Sequence, residues 1–322
     1  MQIFYYITAL YLIRKLNLTK ESVINYFLIA VFLDFLFCLI FKMSPTLKEF
    51  FEIPFYNSEL NQEIYDSNFN IKFMGLGGKL FLGGVVAGVG VILSTYMILL
   101  KGYLRYYFSF VICLIYGILL SRSVIIAVVI SSFFLFIYII VDIFKGRLKK
   151  RSFYFSVILI TIIGLLLFIL YIFRDSNDFF RWAYEIIGTV LISKDTVDSN
   201  SLNGLSNYYK NFIFDTKMIL VGNGIWSFNE TDLGKPYVVD AGFLRVLYSF
   251  GVINLFIYII YNIFIIMPLY IYSRTTLDKI LALILFIFFI TYSFKGFINV
   301  SIIFAFISAA VISDRNVSND KA

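Results

Sequence analysis

Nine times along this 322-residue chain the sequence turns almost wholly apolar: at 3–13, 23–41, 79–100, 106–120, 123–141, 153–173, 243–271, 280–294 and 297–312. Most of these runs approach or exceed the roughly 20 residues that carry a helix across a hydrocarbon core about 30 Å thick. Lipid offers the backbone no hydrogen-bonding partner, so such a run must satisfy its own N–H and C=O groups, as a helix does. Composition agrees: 61% of residues are hydrophobic and 15% charged, with mean hydropathy +0.89. A soluble domain has about 45–50% apolar and about 25% charged residues. The fold class read from this pattern is all-α and polytopic. It has about nine transmembrane helices and one large external loop containing short interfacial helices. The loops divide the chain into N-terminal membrane helices (1–173), a large extracytoplasmic loop (174–242), and C-terminal membrane helices with a cytoplasmic tail (243–322).

The first run is too short to span comfortably. It is either a partial helix or the remnant of spans preceding Met1. Between 142 and 152, DIFKGRLKKRS carries five bases and one acid. Short basic loops stay in the cytoplasm. Alternation then places Arg14, Lys15, Lys20, Lys101, Arg105, Arg274 and Lys279 inside. The acidic stretch 44–73 and the long segment 174–242 fall outside. Within that segment, 179–192 repeats apolar residues at helical spacing, with Arg181 and Glu185 four apart on the other face. It reads as a helix lying in the interface with Trp182 at headgroup level. A second helix is expected over 204–217.

Several function classes drop out. The chain has no histidine, so histidine-based catalysis is excluded. Its two cysteines, Cys38 and Cys113, sit inside apolar runs and read as buried small hydrophobes, with no metal or disulfide framework. GLGGK at 75–79 lacks the spacing of a phosphate-binding loop, and GNG at 222–224 lacks the strand and third glycine of a dinucleotide fingerprint. The net charge of +7, in a chain this apolar, reflects topology and anionic headgroups, not nucleic acid. Asp34, inside a span, reads either as a helix-packing hydrogen bond or as a functional acid. Small residues in 79–100, with Gly84 and Gly88 spaced as GxxxG, allow close helix contact.

Some cations break the positive-inside bias. Arg122 lies between two runs separated only by SRS, Arg174 and Arg181 open the long loop, and Arg245 lies just inside the outer end of its span. Lys79 and Lys295 also mark outer ends. Each is either a snorkelling anchor or part of an anion site, for which guanidinium forks suit phosphate. Asp240 precedes the helix at 243 and is either an N-cap or a base for an attacking hydroxyl. Gly222 and Gly224 let the backbone come close to something.

SRS before an apolar helix, a large external loop containing RW, and GNGIW followed by DAGFLRVLYSFG together resemble the O-antigen and capsular polysaccharide polymerases (Wzy type). These share a superfamily with the O-antigen ligases. The resemblance covers roughly residues 79–312, with its strongest part in Asp240–Gly251 joined to GNG. It implies a metal-independent membrane glycosyltransferase of the bacterial cytoplasmic (inner) membrane, without cofactor. Its substrate would be an undecaprenyl-pyrophosphate-linked oligosaccharide, with a chain-length regulator as a candidate partner. By position it implies that Arg122 and Arg181 hold the pyrophosphate, with Arg245 beside the Asp motif; together with the residues singled out above, the candidate site is catalytic Asp240, Arg122 and Arg181, and substrate-binding Arg245, Lys295, Lys79, Arg174, Gly222 and Gly224. Ligases of this superfamily usually carry a loop histidine, so the absence of histidine favours the polymerase. A ligase-type transferase and a lipid-linked oligosaccharide flippase remain the alternatives.

Overall fold

The computed structural model describes residues 2–44, 46–47, 80–121, 124–145, helical positions at intervals over 154–169, and residues 171–176. It further describes 216–222, 224, 242–273, 275–296 and 301–319. Among these residues the protein is all-helical, with no strand. Its helices are α1 (Gln2–Lys15), α2 (Lys20–Met43), α3 (Leu80–Leu100), α4 (Leu104–Leu120), α5 (Val124–Phe144), α6 (Thr216–Val221), α7 (Gly242–Ile271), α8 (Thr276–Lys295) and α9 (Ser301–Asn319). Of the described helices, five are long and apolar enough to cross a membrane: α2, α3, α5, α7 and α8. This is the architecture of a multi-pass membrane protein. The described side chains at 154–173 are nearly all exposed, an apolar surface of the kind lipid covers. The helices proposed at 179–192 and over most of 204–217 lie outside the described residues; α6 begins at the end of the second.

The helices form two compact units. One holds residues 1–23 and 195–322, the other 24–194. This grouping follows packing, whereas the sequence division followed loops, and it draws α1 to the C-terminal helices. In the first unit α1 packs on α9, and α7 packs on both α8 and α9. Ala9 of α1 and Ala305, Ser308 and Ala309 of α9 are buried. Small residues let membrane helices approach closely, where the hydrophobic effect gives no drive for association. The start of α2 is tied to the start of α8: Lys20 Nζ lies 2.7 Å from Asp278 Oδ1, with both side chains largely buried. Thr275 caps α8 by accepting the Asp278 N–H at 3.1 Å.

In the second unit α3 is the most buried of the five long helices, and its glycines make room for α4. A Cβ on Gly83 would stand 2.6 Å from Leu120 Cδ1, and one on Gly90 2.6 Å from Cys113 Sγ. Seven residues up α3 correspond to seven residues down α4, so the pair is antiparallel. Of the small residues in this run, Gly83 and Gly90 make the close contact with α4. Contacts of α2 with α4 run the other way. Tyr106 donates to Asn25 at 3.0 Å, and Tyr116 donates to Asp34 while meeting the Phe35 ring edge-on at 5.9 Å. Both numbers rise together, so these helices are parallel. The intramembrane acid Asp34 is thus a helix-packing group. Such bonds in lipid average about 0.6 kcal/mol, so this one orients α2 more than it stabilises the unit. Asp142, read from sequence as part of the basic loop, is buried within α5.

Candidate functional site

Four of the nine residues nominated from sequence, Asp240, Arg122, Arg181 and Lys79, lie outside the described residues. The other five are placed, four of them in the first unit.

The organising feature is a break in α7. Gly251 has φ 75° and ψ 177°, which is non-helical and divides α7 into a leg of 242–250 and a longer stretch of 252–271. A break frees the carbonyls of the turn before it. Here Gly224 N–H donates to the Ser249 carbonyl at 2.9 Å, and the Asn254 side-chain amide donates to the Phe250 carbonyl at 2.7 Å. The GNG turn therefore caps the first leg of α7.

The contact is backbone on backbone from both sides. Gly222 has φ 76°, and a Cβ there would sit 2.5 Å from backbone atoms of Ser249 and Phe250. A Cβ on Gly251 would meet the Leu220 carbonyl and stand 2.8 Å from Val221 N. Positive φ and zero clearance each demand glycine. The closeness foreseen for the GNG glycines is thus to α7, with Gly222 bearing the contact. Gly224, at φ 71°, has open space where its side chain would be.

Arg245 lies on the leg that this clasp holds, half-buried and with Nε fully covered. Lys295 is the last residue of α8 and is also half-buried. A Phe243–Phe294 edge-to-face contact at 5.0 Å joins the start of α7 to the end of α8, so both cations belong to the same end of an antiparallel pair. Lys295 also meets the negative end of its own helix dipole. Arg174 lies in the second unit, partly exposed after the 154–173 segment. Its Nε donates to Asp175 at 3.1 Å, and its guanidinium stands 4.5 Å from the centre of the Tyr171 ring. Asp175, then Tyr171, raise its pKa further, so it is a permanent cation with local partners.

Chemically, a guanidinium and an ammonium at one end of a helix pair can hold an anion. Charge-assisted hydrogen bonds of this type are the strong ones. The α7 break was missed from sequence, although a run of 29 residues (243–271) is longer than the roughly 20 a bilayer needs, and a glycine sits nine residues into it.

Comparison with known proteins returns no matching family model, no matching curated protein and no matching solved structure.

Proposed function

We propose that the protein polymerises undecaprenyl-pyrophosphate-linked oligosaccharide repeat units into a surface polysaccharide, O-antigen or capsule, on the outer side of the bacterial cytoplasmic membrane. The observation that carries this reading is the clasp between the GNG turn and the SFG break. It joins the two parts of the motif on which the polymerase resemblance rests, and it caps the leg of α7 that carries Arg245. In the proposed reaction a hydroxyl at the non-reducing end of one repeat unit attacks the anomeric carbon of another lipid-linked unit. Asp240 takes the hydroxyl proton. The bond to undecaprenyl pyrophosphate breaks, and the charge developing on the leaving group is met by Arg122, Arg181 and Arg245. Lys295, Lys79 and Arg174 are the further cations proposed for substrate binding. The nine-span topology, with 174–242 outside, is part of this proposal. Reporter fusions at residue 148 should report cytoplasm and those at 200 the external side.

A flippase is the second reading, because transporters use broken helices near the bilayer midplane. The position of the break in α7 weakens it. The twenty residues after Gly251 make about 30 Å of helix, a full crossing by themselves. The break then falls at the edge of the hydrocarbon core, where a pyrophosphate group would lie.

Deletion of the gene followed by a glycan gel separates the readings. Loss of the ladder with one repeat unit retained means polymerase; loss of all surface glycan means flippase or ligase. At matched protein levels Arg245→Ala should cost about 1.5–3 kcal/mol of transition-state stabilisation, roughly ten- to a hundredfold in rate. Arg245→Lys should recover part, since it keeps charge but loses the fork. A normal ladder from Arg245→Ala removes the residue from the site.

A further inference from the structure

Tyr106 and Tyr116 hold α2 off α4, with rings where α3 and α4 have glycines. The gap between these rungs is a groove of about 440 Å³, walled by Leu28, Ile29 and Phe32 of α2 and by Phe108 and Ile112 of α4. That volume lies within the roughly 300–1,000 Å³ of ligand sites. The groove opens on the outer face of two apolar helices, where Ile29 and Phe108 are 53% and 63% exposed. It runs from Arg105 to Cys113 along α4, about 12 Å of helix.

Arg105 stands at one end of this apolar slot. Its Nη2 donates to Tyr106 Oη at 2.8 Å, and its guanidinium lies 4.8 Å and 5.4 Å from the centres of the Tyr106 and Tyr103 rings. Those rings hold the guanidinium without neutralising it. Among the described residues no carboxylate pairs with it. A fixed, exposed cation above an apolar slot at the end of two apolar helices has the chemistry of a lipid seat, one acyl chain below and a phosphate above. We propose that the α2–α4 groove binds an anionic phospholipid, with its phosphate on Arg105 and an acyl chain along Ile29 and Ile112. Positive-inside bias at Lys101 and Arg105 assigns it to the cytoplasmic leaflet, away from the proposed glycan chemistry.

The test uses the full-length protein reconstituted in nanodiscs of equal parts phosphatidylcholine and phosphatidylglycerol, with retained lipid read by native mass spectrometry. The wild type should retain phosphatidylglycerol over phosphatidylcholine by about fivefold, the worth of one basic residue at a membrane surface. Arg105→Ala should abolish the preference, and Arg105→Lys should keep part of it. Ile29→Trp, which fills the slot from its exposed side, should reduce retention of both lipids. Lys15→Ala, a cation in the other unit, should change nothing. Three results would each overturn the proposal: no preference in the wild type, a preference that survives Arg105→Ala, or equal loss in Lys15→Ala.

Discussion

Glycine brings chain segments together in both units, but in different ways. Along α3 and α4, Gly83, Gly90 and Gly117 sit in regular helix and receive side chains: Leu120, Cys113 and Val124. At the α7 break, Gly222 and Gly251 have positive φ and receive backbone. A side chain can change rotamer to relieve crowding. A peptide unit capped by hydrogen bonds on both sides cannot. Close packing in the second unit is therefore adjustable where the end of a side chain is received, at Gly83 and Gly90, whereas backbone packing at the α7 break is all-or-none. The anion site proposed at Arg245 would benefit from the second kind of rigidity, since misplacement of about 1 Å can cost about a hundredfold in rate.

The largest effect should come from Gly251→Ala. Alanine at this φ and ψ is strained by about 1–3 kcal/mol, and its Cβ drives into the Leu220 carbonyl, adding about 1–3 kcal/mol of overpacking. The purified protein should show a clearly lowered thermal midpoint, and the glycan ladder should be lost. A wild-type midpoint would mean that the break is not rigid.

Gly222→Ala should come next, and Gly224→Ala separates its two causes. Both have positive φ, at about 1–2 kcal/mol for an L-residue, but only Gly222 faces backbone at 2.5 Å. Gly222→Ala should therefore lose more, by the packing term alone. Equal losses would leave strain as the whole explanation and remove the clasp.

In the second unit Gly117→Ala should be the most damaging change. The new Cβ would stand 2.7 Å from Val124 Cβ and 3.2 Å from Ala87 Cβ. A Cβ cannot swing aside, and the branched Val124 is stiff at χ1. We expect about 1–3 kcal/mol, less than at Gly251 because the helical φ adds no strain. Circular dichroism melts in detergent would rank the two.

Most of the described helices were legible to within a few residues because a membrane helix is a long apolar run and little else; α9, which runs to Asn319 against a run ending at 312, was not. The run at 23–41 became Lys20–Met43, and that at 106–120 became Leu104–Leu120. Ends drifted where helices continue into polar turns, as at Thr275 and Asp278, whose cap extends α8 before the apolar run at 280. Pairing was not legible. Hydropathy marks Ala9 and Ala309 as apolar but cannot show that α1 lies on α9. The shared end of Arg245 and Lys295 was legible in part, since alternation placed both at outer ends of their spans. What hydropathy could not show is the contact that joins those ends, Phe243 against Phe294 across the antiparallel α7 and α8. The break at Gly251 was hidden because hydropathy carries no information about φ.

The smallest effect tests the adjustable side of the comparison. Gly90→Ala would place a Cβ 2.6 Å from Cys113 Sγ and 3.3 Å from Cys113 Cβ. The near atom is the tip of a side chain with one rotatable bond, and Cys113 also borders the α2–α4 groove, which gives the sulfur somewhere to go. The single substitution should therefore cost only about 1 kcal/mol, the low end for overpacking. In a Cys113→Ala background the sulfur is gone, and Gly90→Ala should become nearly neutral. The difference between backgrounds is the coupling energy, about 0.5–3 kcal/mol for residues in contact. A cycle with no coupling would show that the Gly90 contact does not set the α3–α4 spacing, and that the separation would have to be carried by Gly83 and Gly117.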